Sequence, residues 1–179
     1  MLEALITSKT RIRLMLKFFL NTSSTGYLRG LATEFGESTN AIRLELNRFE
    51  EAGLLSATNE GNRKVFKANH QHPLFADINS IVRKYVGMDE IIEQVINHLG
   101  EPEAVYLIGD LALGIESKQI NIIIVGENID LDYLEKLVSK AAKVISKQIH
   151  YAVFTPLEFD IQYPHLDQEK LLPVWKNTD

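Results

Sequence analysis

Two short runs of the sequence carry side chains suited to reading a nucleic acid. In the first, Ser38, Thr39, Asn40, Arg43, Leu44, Asn47 and Arg48 fall close together. The arginine fork matches the edge of guanine and the asparagine amide that of adenine, so Arg43, Asn40 and Asn47 suit base edges. Leu44 fits a thymine methyl, or marks an apolar spot used for protein contact. In the second run, Asn62, Arg63 and Lys64 supply polar and cationic groups fit for phosphates. Metal chemistry has no comparable constellation. The chain has no cysteine, and His70, His72, His98, His150 and His165 are not grouped with carboxylates. No metal site and no cofactor is expected, and disulfides and cysteine nucleophiles are excluded.

These residues need elements to position them. Ser8 can cap a helix in which Ile12, Leu14, Met15, Leu16, Phe18, Phe19 and Leu20 cover most of the girth, leaving Arg11, Arg13 and Lys17 to face water. Leu28, Leu31, Ala32 and Phe35 then form an amphipathic stripe that stops at Gly36, where a left-handed cap is wanted. Ser38 caps a further helix with Ile42, Leu46, Phe49 and Ala52 inward, ending at Gly53. Two helices so joined predict a helix-turn-helix. At about 100° per residue, the side opposite that buried stripe presents Asn40, Leu44, Asn47 and Arg48, with Arg43 on the flank. Thr39 and Asn40 sit in the first turn, where unpaired N–H groups and the helix dipole favour a phosphate.

After Gly53, strands over 54–59 and 64–69 can pair around Glu60-Gly61-Asn62-Arg63, with glycine where positive φ is cheapest. Helix, helix-turn-helix and hairpin together predict a winged-helix arrangement, its second helix in the major groove and its hairpin cations near the backbone. Charge agrees. Residues 1–70 hold ten Lys and Arg against seven Asp and Glu, while residues 71–179 hold nine against seventeen. A basic module joined to an acidic domain is the simplest reading, although solvated surface charge would give the same split.

Three runs in this half resemble the ArsR-like winged-helix regulators of bacteria: Ser-Lys-Thr-Arg-Ile-Arg-Leu at 8–14, Tyr-Leu-Arg-Gly-Leu-Ala at 27–32, and the stretch from Glu37 to Leu55. The resemblance implies double-stranded DNA as partner and a homodimer. Heavy-metal sensing is not carried over, because the metal-thiolate motif of that family's sensors has no counterpart without cysteine.

A polar stretch, Asn69-His70-Gln71-His72-Pro73, marks a boundary. Beyond it Leu74, Phe75, Ile78, Ile81, Val82, Tyr85 and Val86 form a helical stripe ending at Gly87, and Asp89 is the expected cap of a second helix running to Leu99. Leu16, Phe19, Ile78, Ile81 and Tyr85 are the residues expected at a twofold axis, although packing inside one chain would satisfy the same stripes. Strands over 104–108 and 120–125, a helix over 131–147 and a strand over 149–154 follow. Thr155-Pro156-Leu157-Glu158 is a capping box that starts a short helix, and Leu171, Leu172 and Trp175 are read as a final helical turn.

The run Val-Tyr-Leu-Ile-Gly109-Asp110-Leu-Ala-Leu-Gly114, followed by Asn121 and Ile123 on the next strand, is similar to the core of a minimal nucleotidyltransferase. That family places two strand carboxylates where Asn121 and Ile123 stand, to hold two Mg²⁺ ions. Asp110 replaces the family's serine, Leu113 its arginine, and the strand 149–153 offers no acid. An amide and an alkyl group cannot hold hard dications. The resemblance therefore implies the fold without the catalysis, with Gly109, Asp110, Asn121 and Ile123 as a degenerate nucleotide site. Asp110 and Glu116 could still bind one ion weakly, though a solvated carboxylate is the simpler reading of each.

The expected fold class is α+β: a winged-helix DNA-binding domain over 1–72, a linker or dimerisation helix over 73–87, and a degenerate nucleotidyltransferase-like α/β domain over 88–179. The expected function is a dimeric DNA-binding transcriptional regulator that is not an enzyme, its second domain serving a small-molecule or nucleotide effector or assembly. An active nucleotidyltransferase of toxin–antitoxin type and a protein-interaction module stay open as alternatives. No run of eighteen apolar residues and no secretory signal is present, so a soluble cytoplasmic protein without membrane contact is expected.

Overall fold

A computed structural model describes residues 2–164 and 170–177 as a mixed α+β chain with two sheets. The chain divides into two compact units, Met1–Tyr85 with Leu113–Glu116, and Val86–Ala112 with Ser117–Asp179. His165 lies outside the described residues.

The first unit opens with α1 (Leu2–Leu5) and α2 (Lys9–Met15). The Ser8 side chain accepts the Arg11 backbone N–H and so satisfies one orphan donor of α2. Leu16–Leu20 continue as a π-helix in which every residue is buried. Five consecutive buried positions wrap around a helix, so this segment must sit centrally. Leu16 and Phe19 are 1% and 0% exposed. They are core of their own unit, which corrects their assignment to a surface shared with a second copy. The cations of this region are corrected too. Arg11 Nε meets Glu45 Oε2 at 2.9 Å, Arg13 Nη1 meets Glu37 Oε1 at 2.8 Å, and Lys17 Nζ meets Glu34 Oε1 at 2.9 Å. They tie α2 and the π-helix to the two helices that follow and to the turn between them instead of facing water.

Strand β1 (Thr25–Tyr27) leads into α3 (Leu28–Phe35), which stops at Gly36 with φ +63°, where the Glu37 N–H can return to Ala32 O. Helix α4 (Thr39–Glu51) starts as its cap predicts, with Ser38 Oγ accepting the Ala41 N–H at 3.2 Å. Ile42, Leu46 and Phe49 are buried along it, and so is Glu45. Strands β2 (Leu55–Glu60) and β3 (Arg63–Ala68) pair directly through Glu60↔Arg63, leaving Gly61 and Asn62 as the turn. β1 adds to the other side of β3 in an antiparallel order β1-β3-β2. That third strand is absent from the sequence reading.

Helix α5 (Phe75–Val86) is not a freestanding linker. Asn79 Nδ2 donates to Phe19 O at 2.5 Å, the His70 ring stacks on Phe75 at 4.5 Å, and all but its last residue count with the first unit. The polar stretch at 69–73 is likewise held inside this unit, with Asn69 Nδ2 donating to Gly53 O at 2.8 Å.

In the second unit, α6 (Met88–Gln94) begins after Gly87 rather than at Asp89, and a 3₁₀ turn over Ile96–His98 replaces its expected last turns. Strands β4 (Glu101–Ile108) and β5 (Gln119–Glu127) are antiparallel. Helix α7 (Leu131–Ile145), whose cap Asp130 accepts the Tyr133 N–H at 3.0 Å, carries the chain to β6 (Gln148–Phe154), parallel to β5. Helix α8 (Pro156–Gln162) shows the reciprocal Thr155–Glu158 capping box. β7 (Leu172–Lys176) closes the sheet beside β4 in the order β6-β5-β4-β7. It occupies the place where the sequence reading puts a helical turn. Ile120, Ile122, Ile123, Ile124 and Val125 of β5 are all buried, as expected of a central strand covered on both faces, while Asn121 near its start is only half-buried.

Candidate nucleic-acid interface

The alternation of buried and outward positions on α4 leaves Asn40, Arg43, Leu44, Asn47 and Arg48 exposed, with Leu44 at 52%. Ser38 and Thr39 are exposed at the helix start, where Ser38 already spends its hydroxyl as the cap. Arg43 and Asn47 share a cleft of about 730 Å³ with Asn62, Arg63 and Lys64 of the β2–β3 hairpin. Both runs singled out from the sequence thus converge on one concave surface. Ser38, Thr39, Asn40, Leu44 and Arg48 lie on the same helix outside that cleft.

The cleft also contains residues the sequence reading missed: Tyr27, Leu28 and Arg29, from the end of β1 and the start of α3. Arg63 lies over the Tyr27 ring, its guanidinium carbon 4.7 Å from the centroid, which positions the hairpin turn against β1. A signal for Arg29 was present. It is a cation in the first turn of a helix, where the dipole disfavours positive charge unless an anion is nearby.

The cationic groups are not equivalent. Lys64 Nζ is 2.6 Å from Glu50 Oε2 and 5.3 Å from the Phe66 ring centre, so its charge is partly spent. Arg48 Nη1 reaches Glu45 Oε1 at 3.2 Å. Arg43 makes no ion pair among the described residues. Glu45 is the hub beneath this surface. Burial alone would raise its pKa, but hydrogen bonds from Arg11 and Ser8, together with the charges of Arg11 and Arg48, outweigh burial and hold it below the ordinary carboxylate value.

The second candidate site is dismembered. Gly109 turns with φ +72°, and a Cβ there would come 3.2 Å from Asn121 Nδ2, so Gly109 and Asn121 are neighbours, with Asp110 exposed beside them. Ile123 is not part of that group. It is 0% exposed within a core cluster with Ala104, Val125, Phe159 and Leu171, and Phe159 of α8 stacks on Tyr106 at 4.9 Å. The face of β5 is filled with side chains at Ile123, which offers no donor, and the neutral amide of Asn121 alone does not fit a metal pair. Glu116 accepts the Tyr85 hydroxyl at 2.9 Å, and the Leu113 carbonyl accepts from Lys17 Nζ at 3.1 Å. Among the described residues no three His, Asp or Glu converge as a metal site.

Of the residues expected at a twofold axis, Ile81 is 46% exposed while Ile78 and Tyr85 are half-buried. Among the described residues no helix is long and apolar enough to cross a membrane. No family model, no curated protein sequence and no solved structure matches the chain.

Proposed function

We propose that the chain is a DNA-binding transcriptional regulator of ArsR-like winged-helix type, acting as a homodimer, with α4 as the recognition helix and the β2–β3 hairpin as the wing. The observation that carries this reading is the shared cleft, in which Arg43 and Asn47 face Asn62, Arg63 and Lys64. A base-reading helix and a phosphate-contacting hairpin must act on one duplex at once, and only a common concave surface allows it. The exposed apolar side of α5, on which Ile81 is open, together with Leu74 just before the helix, is the proposed dimer contact.

The second unit is proposed to keep a nucleotidyltransferase-like scaffold without its chemistry, since burial of Ile123 favours a structural role for that strand. A protein-interaction role is the second reading, carried by the exposed Leu44 on the same helix. Genomic footprinting of fragments bound by the purified chain tests the proposal. Protection of a defined operator supports it, and no protected fragment at low salt overturns it.

A further inference from the structure

A second cleft opens in the first unit, about 350 Å³ in volume, and its character differs from that of the first. Met15, Phe19, Phe49, Leu54 and Ile78 make its wall apolar, and Arg11 and Arg48 stand at it with their aliphatic stems. Its volume lies at the low end of the range of about 300–1,000 Å³ typical of small-ligand sites, and its lining is almost wholly apolar, with both guanidinium groups turned to Glu45 at its margin.

The charge beside it is unbalanced. Arg11 and Arg48 both turn to Glu45, Arg11 through Nε and Nη2 and Arg48 through Nη1. Two guanidinium groups against one carboxylate leave one positive charge, and each arginine keeps N–H donors that this pairing does not use. A monoanion would complete the set. The wall is also built on unusual backbone, because Phe19 belongs to the π-helix Leu16–Leu20 and its carbonyl takes the Asn79 amide. Such insertions gather at functional sites.

From these observations we infer that the cleft binds a small amphipathic monocarboxylate, aliphatic or single-ringed, with its tail against Phe19, Phe49 and Ile78 and its carboxylate at Arg11 and Arg48. Arg48 and Phe49 belong to α4, so occupancy would act directly on the helix proposed to read DNA. This deepens the regulator reading by naming an effector class, and it rests on that reading only for the consequence.

The test titrates the full chain with sodium octanoate, followed by calorimetry and by backbone amide NMR shifts, with octanol as the neutral control. Expected is saturable one-to-one binding with shifts confined to the cleft, about tenfold tighter for octanoate than for octanol. Arg48→Gln should bring octanoate to the level of octanol, while Ile78→Trp, which fills the cleft, should abolish both. Should Ile78→Trp fail to fold, Arg48→Gln still decides, as its site is at the surface. Equal binding of octanol, shifts elsewhere, or no saturation at millimolar octanoate overturns the inference. Loss of a wild-type dimer on Ile78→Trp without any octanoate binding also overturns it, because the cleft would then belong to a second copy. DNA retardation measured on the same protein stands apart: octanoate binding without DNA binding sinks the regulator reading alone.

Discussion

Arg63, at the hairpin turn, lies 4.7 Å over the ring of Tyr27, the last residue of β1. The hairpin's cation is thereby held by the strand that the sequence reading did not see. Arg63→Ala should weaken binding to every DNA probe alike and reduce the salt slope by about one, since a phosphate contact carries no sequence information. Tyr27→Ala should give a smaller loss of the same kind, of about 0.5–1 kcal/mol. Retardation assays across a salt series on specific and random duplexes check both, and a loss confined to one sequence would contradict the assignment.

Arg43 and Lys64 should separate cleanly. Arg43→Ala is expected to cost about 1–3 kcal/mol at one base pair and to relax preference there. Lys64 is already paired with Glu50, so Lys64→Ala should cost less than Arg63→Ala, and Glu50→Gln should tighten non-specific binding. Competition with single-base-pair variants of the operator distinguishes the two behaviours.

Glu45 predicts an acid limb of stability. Its folded pKa lies below the ordinary 4.5, so its contribution is complete above that value and is lost as pH falls through the lowered one. Glu45→Gln should destabilise by about 1–3 kcal/mol at about pH 7, by leaving Arg11 and Ser8 short of a partner. The gap between wild type and variant should narrow as pH falls below that ordinary value and through the lowered one. Thermal melts of both proteins across that range measure it; a constant gap would show that the carboxylate charge does not matter.

Labelled triphosphate with Mg²⁺ should give no nucleotidyl transfer. Replacing Ile123 by Asp should not restore it, because the new carboxylate would enter the cluster of Phe159 and Leu171 and destabilise the unit by about 3 kcal/mol or more. Transfer that vanishes on Asp110→Ala would overturn the inactive reading.

Ile81→Glu should give a folded monomer that loses operator binding, since Ile81 is exposed and its change leaves the core intact. The wild type should protect a pseudo-palindrome with half-sites about 10 base pairs apart. Light scattering over a dilution series, paired with footprinting, tests this; a wild type monomeric at micromolar concentration that protects one half-site would end the dimer proposal.

The legible parts of the sequence were those decided within a few residues. Ser8, Ser38 and Thr155 announce helix starts and Gly36 a helix end, because caps act on N–H and C=O groups one turn away. The outward set on α4 follows from helical geometry alone. Strands β1 and β7 were missed because Thr-Gly-Tyr and Leu-Pro-Val-Trp-Lys carry no period, and only their partners in β3 and β4 make them strands. Long-range pairing also hid the site's finer structure. Arg29 and Tyr27 reach the cleft through the fold, and Glu45 looks like one more surface acid until Arg11, 34 residues away, is brought against it.

Strand β6 stands at one margin of its sheet, with β5 on one side and no further strand beyond it among the described residues. From Gln148 to Phe154 it carries no lysine, no acid and no proline, the residues that ordinarily keep a bare strand from recruiting another. Concentrated stocks should therefore thicken first through this ribbon, and a single lysine at the exposed Ala152 should lengthen their shelf life without touching either cleft.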